Sequence, residues 1–344
     1  MINSSKPEIG ILLVNLGTPD SPKTSDVRSY LKEFLLDPRV VDIPVIPRNL
    51  LVRGLIAPFR APKSAKTYKA IWGDEGSPLL VYSKRMKILL QEALGEKYAV
   101  HMAMRYKNPS MVSVLKEMEK EGFKRIRVIP LFPQYASATT GSVHQKVMEL
   151  VSRWQTIPDI EFINSYPEHP GLIETVAERA SQFDLKIYDH YVFSFHGLPV
   201  RQLIKADFKN HCQKSPDCCK SIGPHNKMCY GAQCHLTAKK IAERLNLDPD
   251  SYTVSFQSRL GKTPWIQPYS SEVLENLARS GKKRILFFSP AFVADCLETI
   301  FEIGEEYKED FLHLGGEHLD LVPSLNDHPK WIETLVDLST KSLS

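Results

Sequence analysis

Eight strand-length apolar runs alternate with amphipathic helical patterns along almost the whole chain, and that alternation leaves few folds open. The runs fall at residues 11–16, 98–104, 126–132, 160–164, 188–195, 253–256, 285–289 and 319–322. Between them, Val27, Tyr30, Leu31, Phe34 and Leu35 share one helical face, and Ser110 sits where a helix cap is expected. Further helices are expected over 142–154, 171–183, 235–245, 271–280, 295–307 and 330–343. Strands that alternate with helices form parallel sheets covered on both faces. For 344 residues, two four-stranded halves fit better than one eight-stranded sheet. The expectation is therefore an α/β protein of two Rossmann-like halves, 1–185 and 186–344, with the boundary near 183–187. Ligands in such folds lie beyond the carboxyl ends of strands, so the residues that follow each strand matter most.

Charge and missing motifs remove several functions. The chain has 44 basic and 40 acidic residues, net +4, which is too balanced for the basic stripe of a nucleic-acid binder. Residues 1–8 carry no basic leader, and no apolar run approaches the ~18–20 residues of a membrane span. These features give the expectation of a cytoplasmic protein. No G-x-G-x-x-G follows a strand. Gly261-Lys262-Thr263 looks like the tail of a P-loop, but Phe256 occupies its upstream glycine position. H-E-x-x-H and G-x-S-x-G are also absent.

Two segments remain as chemistry. The strand ending at Phe195 runs into His196-Gly197-Leu198-Pro199, which puts an imidazole at a strand's carboxyl end. Neutral imidazole suits ferrous iron and accepts a proton near neutral pH. A satisfied core histidine fits that spacing equally well. The second segment is Ala294-Asp295-Cys296-Leu297-Glu298-Thr299, continuing to Glu302, Glu305, Glu306 and Glu309. Glu298 and Glu302 would share a helix face. Like charges at that spacing cost stability, which a cation or moving protons would explain; a solvated surface face is the bland alternative.

Cys212, Cys218, Cys219, Cys229 and Cys234 fall close together, and Cys296 stands apart. Clustered thiols in a large cytosolic protein read as metal or iron–sulfur ligands before they read as disulfides.

The ordered motifs resemble the ferrochelatase family. Ser194-Phe195-His196-Gly197-Leu198-Pro199 matches its signature, and Ala294 to Thr299 matches its second motif. Counterparts also stand at Leu13 to Pro19, Gly76 to Leu79, Arg105-Tyr106, Phe132 to Tyr135, Thr139 to Ser142, Phe256 to Arg259, Thr263 to Trp265 and Gln267-Pro268. The resemblance runs from about residue 9 to 340. It implies two chelatase-type halves and a lyase that inserts ferrous iron into protoporphyrin IX, the last step of haem biosynthesis. His196 and Glu298 would face each other across the porphyrin as proton acceptor and metal partner, in either assignment. Asp295 and Glu302 would orient Glu298 or relay protons. Leu16, Tyr68, Ser77, Arg105, Tyr106 and Trp265 would line the porphyrin, with Arg105 as propionate partner. Coproporphyrin or another tetrapyrrole and metal stays open, as does a porphyrin carrier without turnover.

Two further expectations concern partners and cofactors. Residues 46–62 mix apolar side chains with Arg48, Arg53 and Arg60, which suggests peripheral contact with the inner face of the cytoplasmic membrane. The resemblance implies that this segment is a lip over the porphyrin, and a surface loop and helix covering the active site is the bland alternative. Extra sequence at 208–234 interrupts the family pattern. By resemblance to a bacterial subset it would hold a 2Fe–2S cluster on Cys212, Cys219, Cys229 and Cys234, with Cys218 as substitute. Structural zinc is the alternative.

Overall fold

The computed structural model describes residues 7–215, 217–261 and 263–341. Strands β1 (Ile9–Gly17), β2 (Tyr98–Tyr106), β3 (Arg125–Pro130) and β4 (Asp159–Phe162) form one parallel sheet in the order β2-β1-β3-β4. Strands β5 (His190–His196), β6 (Tyr252–Gln257), β7 (Arg284–Phe288) and β8 (His318–Leu321) form a second, in the order β6-β5-β7-β8. All eight stand where the apolar runs place them. The inner strands read as continuous apolar runs because helices cover both faces: Ile11 to Val14 in β1 and Val192 and Phe193 in β5 are fully buried.

The helices of the first half are α1 (Thr24–Leu35), α2 (Val45–Asn49), α3 (Ala57–Ile71), α4 (Pro78–Leu94), α5 (Met111–Glu121), α6 (Ser142–Val151) and α7 (Pro170–Ala180). Those that follow are α8 (Val200–Lys205), α9 (Tyr230–Leu245), α10 (Ser270–Arg279), α11 (Lys308–His313) and α12 (Pro329–Thr340). Ser110 caps α5 as expected, its hydroxyl accepting from the Ser113 amide at 3.1 Å. The closing helix ends at Thr340, and residues 342–343 of its expected range lie outside the described residues.

Three segments are π-helical: π1 (Leu50–Ile56), π2 (Ser137–Gly141) and π3 (Glu298–Tyr307). An ordinary helix was expected across π3. The i→i+5 bonding widens the turn without moving the apolar face far, so the sequence period does not reveal it. Glu298 and Glu302 remain near one another along it, because four residues make slightly less than one π-turn.

The compact units do not divide at one point near residue 185. One comprises residues 1–132, 137–165 and 327–344; the other comprises 133–136 and 166–326. Thus α7, which follows β4, belongs to the second unit, where it packs on α9. Helix α12, which follows β8, belongs to the first. There the Trp331 indole N–H reaches Met86 Sδ on α4 at 3.1 Å. The buried Arg127 of β3 caps the end of α12, donating to the Leu338 and Lys341 carbonyls at 3.1 and 2.7 Å. Side-chain packing and capping at these distant positions set the allegiance of the two helices, and local periodicity carries no record of it.

The two sheets are also equivalent in register. Gly10 pairs with Ile126, which pairs with Ile160; His190 pairs with Ile285, which pairs with Leu319. The spacing from Ile126 to the helix-capping His169 equals that from Ile285 to the helix-capping His328. By this register Leu16 stands where His196 stands, Gly17 where Gly197 stands, and Thr139 where Glu298 stands. Only the second unit carries the imidazole–carboxylate pair.

Candidate active site

His196 ends β5, and Gly197 makes the exit possible. A Cβ on Gly197 would lie 2.9 Å from the Gln257 carbonyl and 3.2 Å from the Trp265 ring. The equivalent Gly17 has φ +119°, and its Cβ would meet the Tyr106 carbonyl. The His196 ring is partly buried, with Trp265 at 6.4 Å between centroids. Its Nδ1 lies 2.7 Å from the Gly197 carbonyl. A carbonyl only accepts, so Nδ1 carries the proton and the neutral ring keeps its free lone pair on Nε2. Trp265 packs partly buried beside it, and its indole N–H has no partner among the described residues.

Gln257 joins this histidine to the acidic segment. It is the register partner of His196, and its carbonyl accepts the Gly197 amide at 2.8 Å. Its side-chain amide donates to the Glu298 carbonyl at 3.2 Å and to Glu302 Oε2 at 3.1 Å. Ser194 in turn holds the Gln257 side-chain oxygen at 2.7 Å. Glu302 also accepts from the Ser258 amide (3.0 Å), the Ser258 hydroxyl (2.6 Å) and the Tyr307 hydroxyl (3.2 Å). Ser258 adopts φ +63°. That conformation is costly for serine, and it lets one residue deliver two donors to Glu302. Burial, and then Glu302 itself, push the Tyr307 phenol well above its usual range.

Glu298 opens π3 with its carboxylate partly exposed. The fully buried Cys296 thiol beside it is held protonated by burial and by Glu298. Asp295 is held by residues on either side of the site. Its carboxylate accepts from Thr299, the Ser324 amide and the Asn326 amide group at 3.2, 3.2 and 2.7 Å. It braces the loop before π3 and makes no bond to Glu298 among these contacts.

The first unit holds the remaining expected porphyrin residues. Leu16 ends β1 half-buried; Ser77 is buried and accepts from Thr18 at 2.9 Å; Tyr68 packs edge-on to Tyr30 and Trp72. Arg105 and Tyr106 are both held by a buried carboxylate. Arg105 donates to Asp37 at 2.7 Å and to the Ser142 hydroxyl at 2.7 Å, and Tyr106 donates to Asp37 at 2.9 Å. Ser142 adds a 2.5 Å bond to the same carboxylate. Tyr106 has no exposed surface. The buried carboxylate thus holds Nη2 of Arg105 while Ser142 holds Nε, and the Tyr106 ring packs into the core.

The cysteine-rich segment leads into α9. Sγ of Cys218 lies 3.6 Å from that of Cys219, which lies 3.9 Å from that of Cys229. Cys212 is half-buried in the field of Cys229 and Cys218, which with burial raises its thiol to about 11. The Cys219 thiol and the first amides of α9 favour the thiolate of Cys229. Cys234 instead lies fully buried on α9 against Tyr230. Among the described residues, no three His, Cys, Asp or Glu side chains converge to hold a single metal ion.

Helices α2, π1 and α3 run on from one another over 45–71. Ile46 is 72% exposed and Phe59 74%, with Leu50, Leu55, Arg53 and Arg60 also exposed. Asp and Glu are absent between Asp42 and Asp74. No helix among the described residues is long and apolar enough to cross a membrane.

Paired four-stranded sheets of this topology define a chelatase fold. The solved structure of SirB from Bacillus subtilis with Fe3+ superposes with a TM-score of 0.52 at 10% identity, over 97% of this chain and 96% of that one. The ferrochelatase family profile matches residues 8–343, and the chain belongs to that family. The ferrochelatase of Legionella pneumophila (strain Corby) is 44% identical over 95% of this chain and 97% of its own. That of Coxiella burnetii (strain Dugway 5J108-111) is 41% identical over 98% and 94%.

Proposed function

We propose that the protein inserts ferrous iron into protoporphyrin IX, with His196 and Glu298 as the reacting pair. The observation that carries this is Gln257: one side chain, register-paired with His196, holds both the backbone of Glu298 and the carboxylate of Glu302. A carrier needs no such pairing of a base with a row of carboxylates. The free Nε2 lone pair of His196 accepts the pyrrole protons as they leave. Glu298, partly exposed, receives the hydrated substrate iron and exchanges its water for carboxylate oxygen. Glu302, fixed by four donors, anchors π3 so that Glu298 keeps its place. Trp265 supplies an apolar wall beside His196. Leu16, Tyr68, Ser77 and Arg105 are proposed porphyrin contacts on the strength of their motif positions, with Tyr106 packed behind Arg105. The test is anaerobic iron insertion followed by absorbance, with coproporphyrin and cobalt as competing substrates.

The cysteine-rich segment is proposed to carry a 2Fe–2S cluster on Cys212, Cys218, Cys219 and Cys229. Each iron of such a cluster takes two thiolates, roughly 3.7 Å apart when metal–sulfur bonds are about 2.3 Å, and the Cys219–Cys229 separation of 3.9 Å supports one such pair. Cys218 takes the place first given to Cys234, which the core claims. Iron and sulfide analysis of anaerobically purified protein should find both; zinc without sulfide would sink the cluster.

The helical segment over 45–71 is proposed as a peripheral contact with anionic membrane, which would place a cytoplasmic protein on the inner leaflet. Exposed Ile46, Leu50, Leu55 and Phe59 beside Arg53 and Arg60 support it. Flotation with anionic liposomes should recover the protein at low salt and lose it at high salt. Protein left wholly in the soluble fraction would count against it.

A further inference from the structure

We infer that Tyr230 is a positioning residue for His196 and that it couples His196 to the cysteine-rich segment; the inference rests on the proposed role of His196. The pairing of β5 with β7 stops at Phe193 and Phe288, three residues short of His196. The His196 carbonyl is met instead by the Tyr230 hydroxyl, which donates to it at 2.8 Å. Tyr230 is buried, so this bond is shielded from water, and a donor held there fixes the peptide plane on which the imidazole stands. The next carbonyl, that of Gly197, holds Nδ1 of the same ring. Moving the 196–197 backbone therefore moves the imidazole and changes the bond that fixes its tautomer.

The other end of Tyr230 reaches the thiols directly. Tyr230 is the first residue of α9, and its covalent neighbour Cys229 is the helix cap. Cys219 packs onto the following residue: a Cβ on Gly231 would lie 2.9 Å from Cys219 Sγ. Cys234, one turn further along α9, lies against the Tyr230 hydroxyl. Any change in the packing or bonding of Cys219 and Cys229 acts on the start of α9, and the phenol carries it to the His196 carbonyl. The sequence shows Tyr230 only as the survivor of a motif beside extra residues; the hydroxyl's partner lies 34 residues away.

The test uses the full chain in the iron-insertion assay, with Tyr230→Phe, Cys229→Ser and the double variant beside wild type and His196→Ala. Tyr230→Phe keeps the ring and removes only the donor. It should lower kcat about tenfold, leave the porphyrin KM within about twofold, and shift the acidic limb of the pH–rate profile, with far-ultraviolet dichroism unchanged. Cys229→Ser should lower kcat in the wild-type background and add nothing in the Tyr230→Phe background. A Tyr230→Phe enzyme with wild-type kcat and pH profile, while His196→Ala is inactive, overturns the positioning role. Cys229→Ser effects that multiply in full, or that are absent from both backgrounds, overturn the coupling. If wild type inserts no iron, or His196→Ala matches it, the proposed function has failed instead.

Discussion

Asp37→Ala is expected to destabilise the first unit by about 3–5 kcal/mol, the cost of removing one partner from a buried ion pair. Asp37 is the common acceptor for Arg105, Tyr106 and Ser142, and its other oxygen takes the Arg39 amide at 2.7 Å. Its side chain is 4% exposed and that of Arg105 16%. Without the carboxylate, Arg105 keeps only Ser142 as a partner, with no countercharge, and the Tyr106 hydroxyl is left in the core. Asp37→Asn keeps one acceptor and the volume, so it should lose less. Thermal unfolding of both variants checks this; a shift on the order of 10 °C is expected for Asp37→Ala at this domain size. Equal and small losses in the two variants would mean that the charge does little there.

Loss of turnover in His196→Ala and Glu298→Gln should be the largest functional effects, about 10²–10³-fold or more in kcat for each. His196→Ala removes the imidazole whose Nδ1 is held by the Gly197 carbonyl on the strand end that Gln257 joins to π3. Glu298→Gln keeps the shape and the backbone contact with Gln257 but removes the charge that receives a divalent cation. Both side chains are partly exposed at the ends of their elements, so neither change should unfold the chain or abolish porphyrin binding. A fall in kcat with little change in porphyrin KM is the expected split.

Much of this was legible in the sequence for definite reasons. The strands were, because a strand buried on both faces reads as a short apolar run with a turn signal at its end; β1 before Gly17 and β5 before Gly197 show it. His196 was, because its motif sits at a strand's carboxyl end. The π-helical form of the Glu298 segment was not, since π and α turns present nearly the same apolar side over ten residues. Neither were α7 and α12 as members of opposite units, because what decides it, α7 packing on α9 and, for α12, Trp331 and the Arg127 cap, acts across long sequence separations. The same holds for Asp37, which no motif marks and which anchors Arg105 through Nη2. Gln257 and Ser258 stood within a recognised motif, but their part appears only when β6 lies beside β5. The positive φ of Ser258 is the local trace of it.

The measurement that tests the central claim most directly is anaerobic ferrous iron insertion into protoporphyrin IX by wild type, His196→Ala and Glu298→Gln, with porphyrin binding followed in parallel. The account predicts turnover by wild type, and porphyrin binding without insertion by both variants. Wild-type protein that binds porphyrin but inserts no iron, or variants that insert it at the wild-type rate, would contradict it.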